Sequence, residues 1–514
     1  MDPKFDQIVG AQYGWKEASL NLGRATYPPE AGQPQALSNI PVRLPLALGN
    51  RHGLIAGATG TGKTRTLQLM AEGLSANGVP VFLADIKGDL SGFAQPGAMN
   101  PKLQDRCNKL GLTFQGRDFP VEYLSLSGKN GIPLRATVSS FGPILLSKVL
   151  GLNETQQSSL TMVFKFCDDR HLPLLDFSDL RAVLNYLTGD GEQELKDYGG
   201  LSRASVGVLL RKMVELEVQG GDKFFGEPEF DPDDLLRLAP DGRGVISALE
   251  IADLQDRPLL FSTFMMWLLA ALYRDLPERG DVEKPILAFF FDEAHFLFED
   301  ASKAFLQQLE QVVRLIRSKG VGVYFVTQTP KDVDPDVLAQ LGHRVQHALR
   351  AFTPNDAKAL KATVATFPIT KFYDLEETLT TLGIGEALVT VLDPRGVPTT
   401  PVTTVLNPPQ SLMAPAPPEI LNEIIRNSPL YKKYATPIDR ESARELLARK
   451  MADLPDDAPV AKPQSQEEGG MLDTVVGVMK SPLGRAIGKE VVRGVFGLLG
   501  ATPTRRKRRT TGWW

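Results

Sequence analysis

One run of eight residues narrows what this chain can fold into more than any other feature. Gly57-Ala58-Thr59-Gly60-Thr61-Gly62-Lys63-Thr64 matches the pattern G-x-x-x-x-G-K-[ST] at every position. A short apolar stretch, Leu54 to Ala56, precedes it, and a helical stretch runs from Thr64 to Asn77. Glycines let the backbone curl until successive N–H groups converge on a phosphate, and the helix N-terminus adds its partial positive charge. In that geometry Lys63 reaches the β- and γ-phosphate oxygens and the Thr64 hydroxyl ligates Mg²⁺. A second apolar run, Pro80 to Asp85, comes soon after, so strand, turn, helix and strand form a βαβ unit, which requires a parallel sheet.

The same sheet has further candidate strands at Gly244–Leu249, Ile286–Asp292 and Val321–Thr327. They are rich in Val, Ile, Leu and Phe without polar alternation, as strands covered on both faces are. Ile286 to Phe291 ends in Asp292-Glu293, two acids at the C-terminal edge of a buried strand. With a P-loop in the same chain they read as the metal-holding Asp292 and the water-polarising Glu293. The adjacent glutamate favours hydrolysis over phosphoryl transfer to a second substrate, and ATP is preferred as substrate. Asn108-Lys109-Leu110-Gly111, the nearest approach to a guanine-selective motif, lacks its aspartate.

Other candidates surround this centre. Gln328 closes the strand after Asp292-Glu293, where an amide can sense the γ-phosphate and the attacking water. Arg314 and Arg317 lie three apart on one helical face, and Arg51 precedes the P-loop strand. Each is either a surface residue or a cation that stabilises charge on the transferred phosphoryl group, from its own site or a neighbour's. Asp85, in Asp85-Ile86-Lys87-Gly88-Asp89, either reaches the nucleotide's water and metal shell or caps the next helix. His295 either orients Glu293 or is a satisfied core-edge residue. His343 and His347 are four apart with no third ligand to make a metal site.

Composition bounds the class. Of 514 residues, 42% are hydrophobic and 23% charged, with a formal net charge of −4, so affinity for nucleic acid would need a local basic surface. Cys107 and Cys167 are too few for a disulfide framework or a zinc cluster. No run approaches the roughly 18 apolar residues of a membrane span, and the first residues lack the pattern of a secretory leader, so a cytoplasmic protein is expected.

The expected organisation is a lead-in or cap over 1–50, a parallel α/β P-loop core over 51–134 and 241–406 split by a helical insertion at 135–240, and a helical extension over 407–452. An acidic, Pro-bearing linker at 453–470 then leads to a tail helix and basic terminus at 471–514. In that tail Leu483, Ile487, Val491 and Val495 form an apolar stripe beside Arg485, Lys489 and Arg493. That stripe packs on the chain's own ring or contacts DNA, an anionic membrane surface or a protein partner; Arg505 to Arg509 form a phosphate-binding arm or a solvated tail end, and the terminal Trp513-Trp514 suggest a docking site.

Taken together, RHGLIAGATGTGKT, ADIKGDLSG, FFFDEAHFLF, VVRLIRSKGVGVYFVTQTP and LGHRVQHALRAFTP resemble the HerA/FtsK superfamily of P-loop motor ATPases. More narrowly they resemble its YjgR-like, "helicase HerA-like" bacterial branch, from about Arg51 to Arg444. The resemblance implies a RecA-like core that assembles into a hexameric ring, hydrolyses ATP with Mg²⁺ between subunits and moves along double-stranded DNA. It implies nucleotide binding by Lys63 and Thr64, a Walker B pair in Asp292 and Glu293, and a sensor in Gln328. Arg51 and Arg317 match arginines of the family, Arg51 one that acts across the subunit boundary. Relatives carry a β-barrel ahead of the core that docks a nuclease; 50 residues precede Arg51, so that partner is not expected. Two other readings of the same core are an ATP-switched scaffold and a polypeptide-translocating ATPase.

Overall fold

The computed structural model describes residues 3–452, apart from 16, 30–34, 281 and 300–302. The linker at 453–470 and the tail at 471–514, with its apolar and basic stripes and its tryptophans, lie outside the described residues. Residues up to Ala452 form one compact unit.

Its centre is a sheet of strands β1 (Ser19–Thr26), β2 (Leu37–Pro45), β3 (Gly53–Ala56), β4 (Val81–Asp85), β5 (Val121–Ser125), β6 (Ile132–Pro133), β7 (Ile246–Glu250), β8 (Leu287–Phe291), β9 (Val321–Thr327), β10 (His343–Gln346), β11 (Glu386–Thr390) and β12 (Val402–Leu406). Their order is β2-β1-β12-β11-β10-β3-β9-β8-β4-β7-β5-β6. From β10 to β6 every neighbouring pair is parallel, and from β10 outward to β2 every pair is antiparallel. The mainly parallel core expected from the βαβ spacing, RecA-like as the resemblance implied, is therefore present. The segment read as a lead-in supplies the helix Pro3–Tyr13 and the strands β1 and β2, which continue that sheet through β12.

Every residue of β3, β4, β8 and β9 is buried, which explains their unbroken apolar sequences. Phe290 stacks on Tyr324 at 4.9 Å between centroids, and Phe291 on Phe325 at 5.4 Å, locking β8 against β9. The P-loop helix, Lys63–Ala76, packs on β1, β3, β4 and β9.

The helical insertion contains the helices Val138–Val149, Glu154–Asp169, Phe177–Leu187 and Arg203–Leu216. Asn153 with Gln156 and Asp176 with Asp179 form capping boxes that start the second and third. Phe141, Phe224, Phe225, Phe264 and Trp267 join this layer to the buried helix Pro258–Asp275. The extension after residue 407 first straps the P-loop helix. The buried Glu72 carboxylate accepts from Gln410 N at 2.6 Å and Ser411 N at 3.0 Å, and Arg65 donates to Met413 O at 2.7 Å.

Two buried histidines tie the strands together below the site. His52 receives Val323 N on Nδ1 at 3.0 Å and lies 2.8 Å from Val313 O through Nε2. His343 receives Leu392 N on Nδ1 at 3.3 Å and lies 2.7 Å from Leu48 O through Nε2. Both partner sets demand the neutral ring protonated on Nε2. Burial, only partly offset by the carbonyls of Val313 and Leu48, lowers both from 6.5 to about 4. The unfolded chain therefore takes up protons near pH 6.5 that the fold refuses, and stability falls as pH drops from there toward 4. Each ring accounts for on the order of 3 kcal/mol across that window. The urea midpoint should fall markedly between pH 7 and pH 5, and less steeply in His343→Gln; a flat midpoint would contradict the neutral buried rings.

Candidate active site

The P-loop leaves the C-terminal end of β3 and turns into the helix Lys63–Ala76. Gly57, Gly60 and Gly62 have φ of 154°, 78° and 119°, values open to glycine at little cost. At Gly57 there is also no room: a Cβ would come within 2.5 Å of the His347 Cβ. Gly57 N faces Thr327 O and Gln328 O at 3.2 and 3.1 Å, and Ala58 N donates to Ala348 O at 2.9 Å, so β9 and the chain after β10 hold the loop from both sides. Thr59 and Gly60 are exposed at its tip; Thr61, nearly buried, donates its hydroxyl to Ala58 O at 2.7 Å. Lys63 is folded onto the loop, donating to Gly57 O at 2.8 Å and Ala58 O at 3.3 Å. Thr64 is half-buried in the first turn of the helix.

Asp292 and Glu293 come directly after β8, at the same edge of the sheet, because parallel strands release their C-terminal ends together. Asp292 is 2% exposed and its Oδ2 has no hydrogen-bond partner. Burial, reinforced by Glu293, pushes its carboxyl up to about 7. Asp85, at the end of the neighbouring β4, accepts from Lys87 N at 3.1 Å, Gly88 N at 2.8 Å and Leu90 N at 2.8 Å. It thus caps the turn after β4 rather than a helix. Its carboxylate also converges with those of Asp89 and Asp292, with ligand oxygens within 4.8 Å of one another. Glu250, at the end of β7 beside Asp85, is also buried, and burial together with Asp85 and Asp89 raises its carboxyl. Such crowded carboxylates, three of them (Asp89, Glu250 and Asp292) with an orphaned oxygen, suit a divalent cation, which would offset both desolvation and mutual repulsion.

Glu293 is 5% exposed and has a φ of 46°, a left-handed conformation that costs a non-glycine residue about 1–3 kcal/mol. Lys87 forms an ion pair with Oε1, and His295 Nδ1 lies 3.4 Å from Oε2. Burial opposes a charge on Lys87, but the Glu293 carboxylate more than offsets it and holds the ammonium above its usual range.

Gln328 comes directly after β9, which runs between the P-loop strand and β8. Its side chain is exposed and lines a cavity of about 620 Å³ with His295, Thr329, Lys331 and Asp332. Asp332 fixes that turn, accepting from the Thr327 hydroxyl, Thr329 N and the Thr329 hydroxyl, each at 2.9 Å.

The three arginines are elsewhere. Arg51 precedes β3, and Arg314 and Arg317 precede β9, so all lie at the opposite, N-terminal edge of the parallel strands. Asn50 Nδ2 donates to Arg317 O at 3.3 Å, joining the two segments. Arg314 is paired with Glu310 at 3.4 Å. The seven residues of β9 separate this edge from Gln328 by roughly 20 Å at about 3.3 Å per residue.

Residues that the sequence left without a role complete the site: Lys87, Asp89, Glu250 and His347. His347 Nε2 lies 2.8 Å from the Thr66 hydroxyl and Nδ1 lies 3.0 Å from Glu386 O, so it is a wall of the P-loop. Only the run Asp85 to Asp89 carried a signal for Lys87 and Asp89; nothing local pointed to Glu250.

A P-loop at the end of one buried parallel strand and an acidic pair two strands away define a RecA-like P-loop ATPase. The family model described as "Helicase HerA-like C-terminal" matches residues 30–494, and the chain belongs to that family. It is 24% identical over 364 residues to the "DNA double-strand break repair helicase HerA" of Saccharolobus solfataricus, covering 68% of this chain and 64% of that relative's length. Among solved structures it is similar to the plasmid coupling protein TrwB in complex with ADP and Mg²⁺, at 15% identity and a TM-score of 0.49, over 80% of this chain and 99% of that one. It is also similar to VirB4 of Thermoanaerobacter pseudethanolicus, at 16% identity and a TM-score of 0.42, over 77% and 97%.

The Gly57 geometry yields a direct test. Gly57→Ala should weaken binding of a fluorescent ATP analogue by at least about tenfold, because the added methyl displaces either the loop or His347. Binding at parental affinity would show that the loop relaxes freely around it.

Proposed function

We propose that this chain is a ring-forming motor that hydrolyses ATP and uses the energy to move along double-stranded DNA. The observation that carries the reading is the division of charge across one sheet. Phosphate-binding and acidic groups stand at the C-terminal edge, and Arg51, Arg314 and Arg317 stand at the N-terminal edge. A head-to-tail arrangement of copies brings one subunit's arginines to its neighbour's phosphates, and such an arrangement makes a ring when the rotation between copies closes. The family resemblance implies a ring of six, and the similarity to a DNA double-strand break repair helicase supports a DNA track.

Within one subunit, the P-loop N–H groups and Lys63 bind the phosphates. Thr64 and Asp292, with Asp85 and Asp89 beside them, would hold Mg²⁺, which neutralises charge on the phosphate oxygens when bound. Glu293 takes the proton of a water as the water's oxygen bonds to the γ-phosphorus and the bond to the ADP oxygen breaks. Gln328, directly after the strand that runs between the P-loop strand and β8, orients that water and reports the γ-phosphate to the turn fixed by Asp332. Among the described residues no helix is long and apolar enough to cross a membrane. We place the motor in the cytoplasm.

Steady-state ATP hydrolysis with and without duplex DNA tests this. Duplex DNA should stimulate turnover severalfold, and Glu293→Gln should lower kcat by about 100-fold or more. Hydrolysis indifferent to DNA would move the reading to a scaffold or a polypeptide motor. Turnover that survives Glu293→Gln would remove Glu293 from the chemistry.

A further inference from the structure

We infer that Lys87 is a restraint on hydrolysis: it grips the Glu293 carboxylate and must release it before that carboxylate can take a proton from water. The inference rests on Glu293 being the proton acceptor proposed above, and it names a residue that regulates that step.

One Glu293 oxygen is gripped by Lys87, in competition with a water, while Oε2 has no hydrogen-bond partner. Lys87 Nζ is on Oε1, and His295 Nδ1 is 3.4 Å from Oε2. The Glu293 side chain is 6% exposed, whereas that of Lys87 is 44% exposed. One partner is therefore confined and the other has room to leave. A carboxylate whose lone pair lies on an ammonium is a poorer proton acceptor than a free one.

The position of Lys87 is built rather than accidental. Asp85 accepts hydrogen bonds from the backbone N–H groups of Lys87, Gly88 and Leu90, so the loop that carries the lysine is pinned to the end of β4. β4 pairs with β8, with Ala84 opposite Phe291, and this register sets Lys87 beside Glu293. Release then needs only rotation of a flexible four-carbon stem, without backbone movement. Lys63, Asp292 and Asp89 also act electrostatically on Lys87 or its partner.

The test is the single-turnover rate of ATP hydrolysis by the full chain, with Glu293→Gln as the blank and affinity for a fluorescent ATP analogue measured in parallel. Lys87→Met should raise the single-turnover rate by roughly fivefold and leave the affinity within about twofold. Lys87→Gln, which keeps a polar, half-exposed side chain, should do the same and serves if the methionine variant folds poorly. Lys87→Arg, which keeps the cation, should return the rate toward that of the parent. A rate that is unchanged or lower in folded Lys87→Met and Lys87→Gln, in a parent that hydrolyses ATP through Glu293, would overturn the restraint alone. A parent whose hydrolysis does not depend on Glu293 would overturn the underlying reading and this inference with it.

Discussion

Four neighbouring parallel strands, β3, β9, β8 and β4, are buried along their whole length, and nearly everything else depends on that burial. A strand covered on both faces holds few polar side chains, so polar chemistry gathers where the strands stop. Because the four run in one direction, their ends stop together. The P-loop, Gln328, Asp292-Glu293 and Asp85 are therefore neighbours although the chain separates them widely. The stacked pairs Phe290–Tyr324 and Phe291–Phe325 fix the relative height of two of those ends.

The same directionality separates the arginines from the site. Residues that enter a strand lie at the far edge, and Arg51 and Arg317 enter β3 and β9. One molecule thus presents a phosphate-binding edge and a cationic edge on opposite sides of one sheet, a polarity suited to head-to-tail assembly. The carboxylate crowding at the acidic edge has a parallel logic. Burial and crowding hold the carboxyls of Asp85, Glu250 and Asp292 above their usual range, with Asp89 beside them, so the site is arranged for a cation it does not itself supply. Lys87 and Lys63 bring positive charge to the same place from two different loops, and Lys87 is committed to Glu293.

Much of this was legible in the chain. The P-loop and the Asp292-Glu293 pair are contiguous strings whose chemistry needs only local geometry, and β4, β8 and β9 announced themselves as short apolar runs. The strands β1, β2, β10, β11 and β12 did not. They are antiparallel or lie at the junction, and they mix residues such as Asn21, Arg24, Arg43, Thr403 and Thr404 into their pattern. The residues before Arg51 therefore looked like a separate lead-in, whereas β1 reaches the sheet by pairing with β12, some 380 residues further along the chain.

By itself the sequence determined that a phosphate-binding loop, a helix and an acid-tipped strand belong to one parallel sheet, because each of those features is encoded in adjacent residues. Only the tertiary structure decided which partners meet across strands. Glu250 joins Asp85 through the register of β4 with β7, His347 walls the P-loop through the pairing of β10 with β3, and Lys87 closes on Glu293 through that of β4 with β8. Strand register is a property of the assembled sheet, set by the packing of its buried faces rather than by any one segment. Contacts that depend on it have no local signature to read.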